Sequence, residues 1–106
     1  MKMTISGLEH KLREVEVWVA EANDTIVGWV AIKSDYLEGL YTDPSFARRG
    51  IGGALLHIAE AAMREQGVKI ARADASWNAE DFYIRRGYQP TGPRPPDGPR
   101  PLVKQL

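Results

Sequence analysis

The feature that most constrains this chain is a glycine-rich segment, ARRGIGGALL, that leads directly into a long amphipathic pattern. From Ile51 onward the apolar side chains recur at intervals of three and four residues, which is the period of one face of an α-helix. They are Ile51, Ala54, Leu55, Ile58, Ala59, Ala62 and Met63. His57 and Glu60 fall on the polar side of this pattern, and Gly67 is the expected stop signal. The sequence therefore predicts one long helix from residue 51 to residue 66, preceded by a loop rich in arginine and glycine.

The stretch before this helix has the pattern of three β-strands. Glu14–Ala22 and Thr25–Ile32 are rich in β-branched residues and flank an Asn-Asp turn, which predicts a hairpin. The segment Tyr36–Thr42 is predicted to form a third strand. Gly39 within it indicates either a bulge or a close approach of another group to the backbone. Strand alternation predicts a shared face for four residues of this strand: Tyr36, Glu38, Leu40 and Thr42.

After the long helix the pattern predicts a strand, a short helix and two short strands. Val68–Ala75 is the strand, and Asn78–Arg86 is the short helix, for which Asn78 is a candidate N-cap. The final strands fall in GYQP and PLVKQL, joined by the proline-rich tract Pro90–Pro101. This tract reads as a loop with solvated arginines, and the alternative is that its arginines meet an acidic substrate. The order β-β-β-α-β-α-β-β predicts an α/β domain with a mixed sheet. At 106 residues, the chain has the length of a single domain, residues 1–106.

Charge and composition exclude several classes of function. The 14 Lys and Arg residues balance the 14 Asp and Glu residues, so no overall charge attracts the chain to nucleic acid or to an anionic membrane. The chain has no cysteine, which excludes disulfides, thiolate nucleophiles and cysteine-based zinc sites, and no constellation of metal ligands is visible. The apolar runs are too short to span a bilayer and the N-terminus lacks a signal-peptide core, which predicts a cytoplasmic protein.

The loop before the long helix has the properties of a phosphate site. The first N–H groups of a helix have no partner within the helix and attract anions. Gly50, Gly52 and Gly53 let a phosphate approach the backbone, while Arg48 and Arg49 can add charge-assisted contacts. A Walker loop is excluded because no G-x-x-x-x-G-K-[ST] string occurs, and the G-x-G-x-x-G fingerprint fails because it would need glycine at residue 55. The alternative is a solvated basic loop without a ligand.

Two motifs in this chain resemble the signatures of the GNAT N-acetyltransferase superfamily. Ala47–Gly52, ARRGIG, is similar to the acyl-CoA-binding motif [QR]-x-x-G-x-[GA], with the departure that Ala47 stands where the family has Gln or Arg. WNAEDFYIRRGY is similar to the family's second signature, N-A-x-x-F-Y-x-x-x-G-[FY], and lies at the usual separation from the first. The resemblance covers roughly Val15 to Leu106 and implies a GNAT-like acyl-CoA N-acyltransferase fold with acetyl-CoA as cosubstrate and no metal.

The resemblance also implies how the cosubstrate is held. The pyrophosphate is expected on the backbone of the glycine-arginine loop: Arg48, Arg49, Gly50, Ile51, Gly52 and Gly53. The pantetheine arm is expected to pair with the main chain of Leu40, Tyr41 and Thr42, in a gap where the third and fourth predicted strands splay apart. Asn78 either contacts the cofactor or simply caps its helix.

The implied reaction is direct attack of a primary amine on the thioester in a ternary complex, because no cysteine is present to carry the acyl group. The resemblance assigns Tyr83 to protonate or stabilise the departing thiolate, and the alternative is a packing role. Glu38 is the candidate general base, against the alternative of a solvated carboxylate, and Asp35 is a weaker candidate. Trp18 and Trp29 either pair across the hairpin or face the acceptor pocket.

The segment MKMTISGLEHKLRE is shorter than the strand and two helices that precede this point in typical members, and it has room only for the end of the second helix. An N-terminally abbreviated member would expose its first strand, which favours completion of the acceptor site in a homodimer. Two other readings stay open: a non-catalytic CoA-binding module, and a nucleic-acid binder using Arg48, Arg49, Arg85 and Arg86, which the balanced charge disfavours.

Overall fold

The computed structural model of the protein describes residues 2–7 and 15–106. Within these residues, seven strands form one sheet in the order β1-β2-β3-β4-β5-β7-β6, in which β4 and β5 are parallel and the other neighbours antiparallel. The elements are β1 (Met3–Gly7), β2 (Glu16–Ala22), β3 (Thr25–Lys33), β4 (Tyr36–Thr42), α1 (Ile51–Glu65), β5 (Ile70–Ala75), α2 (Glu80–Ile84), β6 (Gln89–Pro90) and β7 (Arg100–Gln105). This confirms the predicted α/β fold with a mixed sheet.

The N-terminal segment contains a strand that the sequence analysis did not predict. β1 pairs antiparallel with β2 from Met3 opposite Ala22 to Gly7 opposite Trp18. Its apolar residues, Met3 and Ile5, pack against the core. The prediction of a helix end is therefore wrong for these residues, in which Met3 and Ile5 alternate with Thr4 and Ser6 in the period-2 pattern of a strand. Residues 8–14 lie outside the described residues. β2 has a neighbour on each side, which removes the exposed-strand argument for a dimer.

Helix α1 packs across β2, β3 and β4 and forms the core with them. Ile51, Leu55 and Met63 are buried as the period predicted, and His57 is exposed as expected. Glu60, in contrast, is only 5% exposed, because its carboxylate accepts hydrogen bonds from the Tyr88 hydroxyl and from Lys104 Nζ. The buried face of α1 is thus wider than its apolar stripe.

Among the described residues, neither helix has the length and the apolar character that a membrane span would need.

A β-bulge lies in the middle of β4. Ala31 of β3 pairs with Gly39, but the next residue, Ile32, pairs with Leu37, so Glu38 is the extra residue. The bulge predicted near Gly39 is therefore confirmed. It resets the alternation of the strand, since Leu37 is buried and Leu40, three residues later, also packs against the core, whereas Glu38 is exposed. The prediction of one shared face for Tyr36, Glu38, Leu40 and Thr42 is wrong for this reason.

The two tryptophans of the hairpin lie on opposite faces of the sheet. Trp18 is opposite Val30 and packs against the core, whereas Trp29 is opposite Val19 and is partly exposed. Trp29 stacks instead on Tyr41 of β4, with ring centroids 6.4 Å apart. The alternative in which the two tryptophans pair across the hairpin is therefore wrong.

Gly39 provides the space that the Trp29 indole occupies, and we expect Gly39→Ala to destabilise the fold. A Cβ atom at Gly39 would lie 2.8 Å from two carbon atoms of that ring. We expect the free energy of unfolding to fall by about 1–3 kcal/mol, the usual cost of overpacking. Denaturant unfolding measures the loss of stability, and tryptophan emission reports the displacement of the Trp29 ring. Gly98→Ala is the matched control because nothing lies within 4 Å of its added Cβ; equal stability of the two variants would contradict this packing.

Candidate functional site

The sheet forks between β4 and β5. These parallel strands pair only at Tyr36 with Arg72 and at Leu37 with Ala73, although β4 continues to Thr42. Beyond that point β4 pairs with β3 on one side and with no strand of the described chain on the other. The splay expected of the third and fourth predicted strands is confirmed. The backbone of residues 39–42 therefore offers an open edge to an extended ligand.

The N-terminus of α1 lies beyond the fork and has no internal cap. Its N-cap, Gly50, has a left-handed φ of 76°, makes no side-chain cap hydrogen bond, and is followed by a first turn without acidic residues. The first intrahelical bond of this end runs from the Ala54 N–H to the Gly50 carbonyl at 3.0 Å. The N–H groups of Ile51, Gly52 and Gly53 therefore have no partner within the helix, which makes this end a site for an anion.

A cavity of about 470 Å³ lies at this helix end. Seven residues predicted from the sequence line it: Thr42, Arg48, Gly50, Ile51, Gly52, Gly53 and Asn78. Three others do not: Leu40 packs on the core, Tyr41 stacks on Trp29, and the Arg49 guanidinium lies 5.5 Å from the Phe46 ring. For Leu40 and Tyr41 only the main chain borders the fork, which is the part that the pantetheine prediction uses.

Helix α2 forms the opposite wall of the cavity, and sequence reasoning missed this contribution. Phe82 packs against α1 so closely that a Cβ atom at Gly52 would lie 3.1 Å from its ring. Arg86 lies 3.8 Å from the centroid of the same ring, and its Nη1 donates a 2.9 Å hydrogen bond to the Phe82 carbonyl. The spacing of four residues between Phe82 and Arg86 was the available signal, because such residues are neighbours on a helix.

Asn78 is not the cap of α2. The helix begins at Glu80, and its N-cap is Ala79, which makes no side-chain cap hydrogen bond. The Ser76 carbonyl accepts hydrogen bonds from the N–H groups of Ala79 and Glu80, so a backbone turn starts the helix instead. The capping alternative is therefore wrong, and Asn78 lies in that turn as part of the cavity wall.

Tyr83 follows Phe82 and is 6% exposed, with its ring edge-on to Phe82 and Tyr88 at 5.2 and 5.3 Å. Its hydroxyl makes no hydrogen bond with any described residue. Since no buried polar side-chain atom of the described chain lacks a partner, this hydroxyl reaches solvent. Burial raises the pKa of Tyr83 to about 12. The phenol is therefore neutral at physiological pH and can donate a proton.

Two exposed carboxylates stand where the fork opens. Glu38 and Asp74 directly follow Leu37 and Ala73, the last paired residues of β4 and β5. Leu37 and Ala73 are buried, whereas Glu38 and Asp74 are exposed. Asp74 was missed, although the alternation in IARADA was the signal for its exposure. Asp35 binds Arg72 at 3.0 Å and is a weaker base candidate. Across residues 2–7 and 15–106, no three His, Asp or Glu side chains group as a metal site would require.

Comparison with known proteins gives this arrangement a family. A family model described as an acetyltransferase (GNAT) domain matches residues 4–97. The chain belongs to the GNAT acetyltransferase family. The matched range includes both walls of the cavity and the fork, and it confirms the resemblance read from the sequence motifs.

Relatives of this GNAT chain agree with that assignment. It is 36% identical over 84 residues to an uncharacterised N-acetyltransferase of Escherichia coli, YafP, covering 79% of this chain and 53% of that protein. It therefore spans about half the length of this curated relative. A GCN5-related N-acetyltransferase from Rhodopseudomonas palustris superposes with a TM-score of 0.82 at 24% identity, covering 90% of this chain and 64% of that one. The PaiA N-acetyltransferase of Thermoplasma acidophilum, solved in complex with coenzyme A, gives 0.77 at 22% identity, with 88% and 62% covered. At these identities the two structures show a shared GNAT fold.

Proposed function

We propose that this GNAT chain is an acyl-CoA-dependent N-acyltransferase that transfers an acetyl group from acetyl-CoA to a primary amine by direct attack in a ternary complex. The observation that carries the proposal is the cavity at the bare N-terminus of α1, which adjoins the open edge of β4. The first offers N–H donors and arginines to a pyrophosphate, and the second offers main-chain groups to an extended amide-containing arm. The coenzyme A bound to the PaiA protein supports the choice of ligand.

In this proposal the residues at the helix end bind the pyrophosphate. The backbone of Arg48 to Gly53 supplies N–H donors, and Arg48 adds positive charge from the cavity wall. Arg49 adds positive charge from behind the wall residue Phe46. Arg86, already fixed over Phe82, adds a further cation to the same cavity. A side chain at residue 52 would enter this space, so the glycine fits a closely approaching phosphate. Leu40, Tyr41 and Thr42 supply the main-chain groups for the pantetheine arm.

The proposed chemistry uses one acid and one base. The amine nitrogen forms a bond to the thioester carbonyl carbon while the carbon–sulfur bond breaks, and the electron pair leaves with the sulfur. Tyr83, whose phenol is protonated at neutral pH, donates the proton that converts this thiolate to a thiol. Glu38, exposed at the bulge, accepts the proton that the amine loses. Asp74 is the second carboxylate within this part of the fork.

A turnover assay with acetyl-CoA and a panel of primary amines, read as release of free CoA thiol, tests the proposal. We expect turnover with at least one amine, and a fall in kcat of about 10- to 100-fold in Glu38→Gln at neutral pH, since general base catalysis typically contributes at least this much. The loss should shrink as pH rises, because the amine then deprotonates in solution. Glu65→Gln, an exposed change on α1, is the matched control. Equal rates for the two variants would remove Glu38 from the mechanism.

Binding of acetyl-CoA without turnover of any amine would instead favour a non-catalytic CoA-binding module. The homodimer and the cytoplasmic location stay predictions from the sequence. Sedimentation at several protein concentrations tests the first, and a monomer throughout would contradict it.

A further inference from the structure

The proline-rich loop between β6 and β7 folds back onto the start of α2. Glu80, the first residue of α2, is only 7% exposed, and both of its carboxylate oxygens are bound by arginines. Arg100 Nη1 donates to Oε1 at 2.7 Å, and Arg94 Nη2 donates to Oε2. The expectation that the loop arginines are solvated is therefore wrong. The hydrogen bond from Arg100 lowers the pKa of Glu80 below its ordinary value, so the Glu80 carboxylate is negatively charged at neutral pH.

The same loop also holds the turn before α2. The Arg94 guanidinium stacks on the Trp77 ring at 3.9 Å from its centroid, although Trp77 is 73% exposed to solvent. Arg100 additionally donates to the Gly92 carbonyl at 3.3 Å, which closes the loop on itself. Residues 91–100 thus form a strap that contacts α2 through Glu80 and the preceding turn through Trp77. Charge-assisted hydrogen bonds and a cation–π contact are the interactions that hold it.

We propose that Arg94, Arg100 and Glu80 are positioning residues that fix the α2 wall of the cofactor cavity and so determine the affinity for acetyl-CoA. The inference rests on the proposed function. α2 has only five residues, too few to be stable as an isolated helix, and therefore needs tertiary contacts to hold it. Phe82 of α2, Arg86 in the turn after it and Asn78 in the turn before it line the cavity.

The geometry leaves little tolerance for movement of that wall. Phe82 contacts the N-terminal turn of α1 at Gly52, and Arg86 contacts it at Gly53, where a Cβ atom would lie 3.3 Å from Nη2. A strap that holds Glu80 and Trp77 keeps Phe82 and Arg86 in register with the N–H groups of α1. Binding is tighter when such groups are already in place, because the ligand does not have to order them.

The test is calorimetric titration of acetyl-CoA into the whole chain and into an Arg94→Ala variant. We expect the Kd to rise about five- to tenfold through lost preorganisation, while the melting temperature falls by several degrees, because the buried Glu80 carboxylate loses one of its two arginine partners and keeps Arg100. Arg94→Lys keeps the charge but loses the planar stack, so its Kd should fall between the two. The tryptophan emission should shift in Arg94→Ala, since Trp77 loses its stacked cation.

Arg72→Ala is the matched control, because Arg72 also combines an ion pair with a ring contact, to Asp35 and Tyr36, but does not line the cavity. An unchanged Kd in Arg94→Ala, or an equal rise in both variants, would overturn the inference and leave the proposed function intact. Absence of acetyl-CoA binding by the unmodified chain would overturn both. If Arg94→Ala does not fold, Arg94→Lys and Glu80→Gln decide, and a Kd equal to that of the unmodified chain in both variants refutes the positioning role.

Discussion

Replacing Gly52 with glutamate is expected to abolish acetyl-CoA binding. A Cβ atom at this position would lie 3.1 Å from the Phe82 ring and 3.4 Å from Thr42 Oγ1, so the new side chain would crowd the cavity between α1 and Phe82. Its carboxylate would also stand at the bare N-terminus of α1 and compete for the N–H groups that the pyrophosphate needs. An acidic residue in the first turn favours the helix itself, so the variant should fold. We expect a loss of at least ~100-fold in affinity, about the effect of losing two charge-assisted hydrogen bonds, measured by calorimetry.

Gly98→Glu provides the matched control for that experiment. It makes the same change of residue and charge, but the position lies in the proline-rich loop with nothing within 4 Å of an added Cβ atom. We expect it to bind acetyl-CoA as the unmodified chain does. If Gly52→Glu bound as tightly as Gly98→Glu, the pyrophosphate would not lie at the end of α1, and the cavity would need another ligand.

The parts of this fold that sequence predicted well are those set by local patterns. α1 begins at Ile51, as its period of three and four residues indicated, and Gly67 follows its end with a φ of 85°. The hairpin turn forms at Asn23 and Asp24, which both adopt left-handed φ values. In each case the residues that specify the structure lie within a few positions of one another. Local chemistry was therefore sufficient.

The missed features depend on contacts between distant parts of the chain. Glu60 reads as a surface residue of α1, yet it is buried because Tyr88 and Lys104, 28 and 44 residues away, bind its two oxygens at 2.8 and 2.9 Å. Arg94 and Arg100 read as solvated because they lie in a proline-rich loop, and Glu80, 14 and 20 residues away, becomes their partner only when β7 returns beside β5. Buried charge needs a partner, and the identity of that partner follows from topology.

Tyr83→Phe is expected to remove most of the turnover while leaving stability and cofactor affinity nearly unchanged. The Tyr83 hydroxyl has no hydrogen-bond partner among the described residues, so its loss costs the fold little. General acid catalysis is typically worth about 100-fold or more, and we expect kcat to fall by about that factor with the KM for acetyl-CoA unchanged. Burial raises the pKa of Tyr83 from its ordinary value of 10.0 to about 12 in the folded protein. The contribution of this shift to the stability of the fold is therefore complete below pH 10 and is lost as pH rises towards 12. The acid form is therefore available throughout the pH range of an ordinary assay.

Tyr88→Phe separates this catalytic role from a role in packing. Both rings are buried and pack against each other at 5.3 Å, but the Tyr88 hydroxyl donates a 2.8 Å hydrogen bond to Glu60. Removing it leaves the buried carboxylate with Lys104 as its partner, so the free energy of unfolding should fall by about 1–3 kcal/mol while turnover per folded molecule is retained. The two phenylalanine variants should therefore show opposite results, one losing activity and the other stability. If Tyr83→Phe kept full turnover, Tyr83 would be a packing residue like Tyr88, and another group in the fork would have to protonate the thiolate.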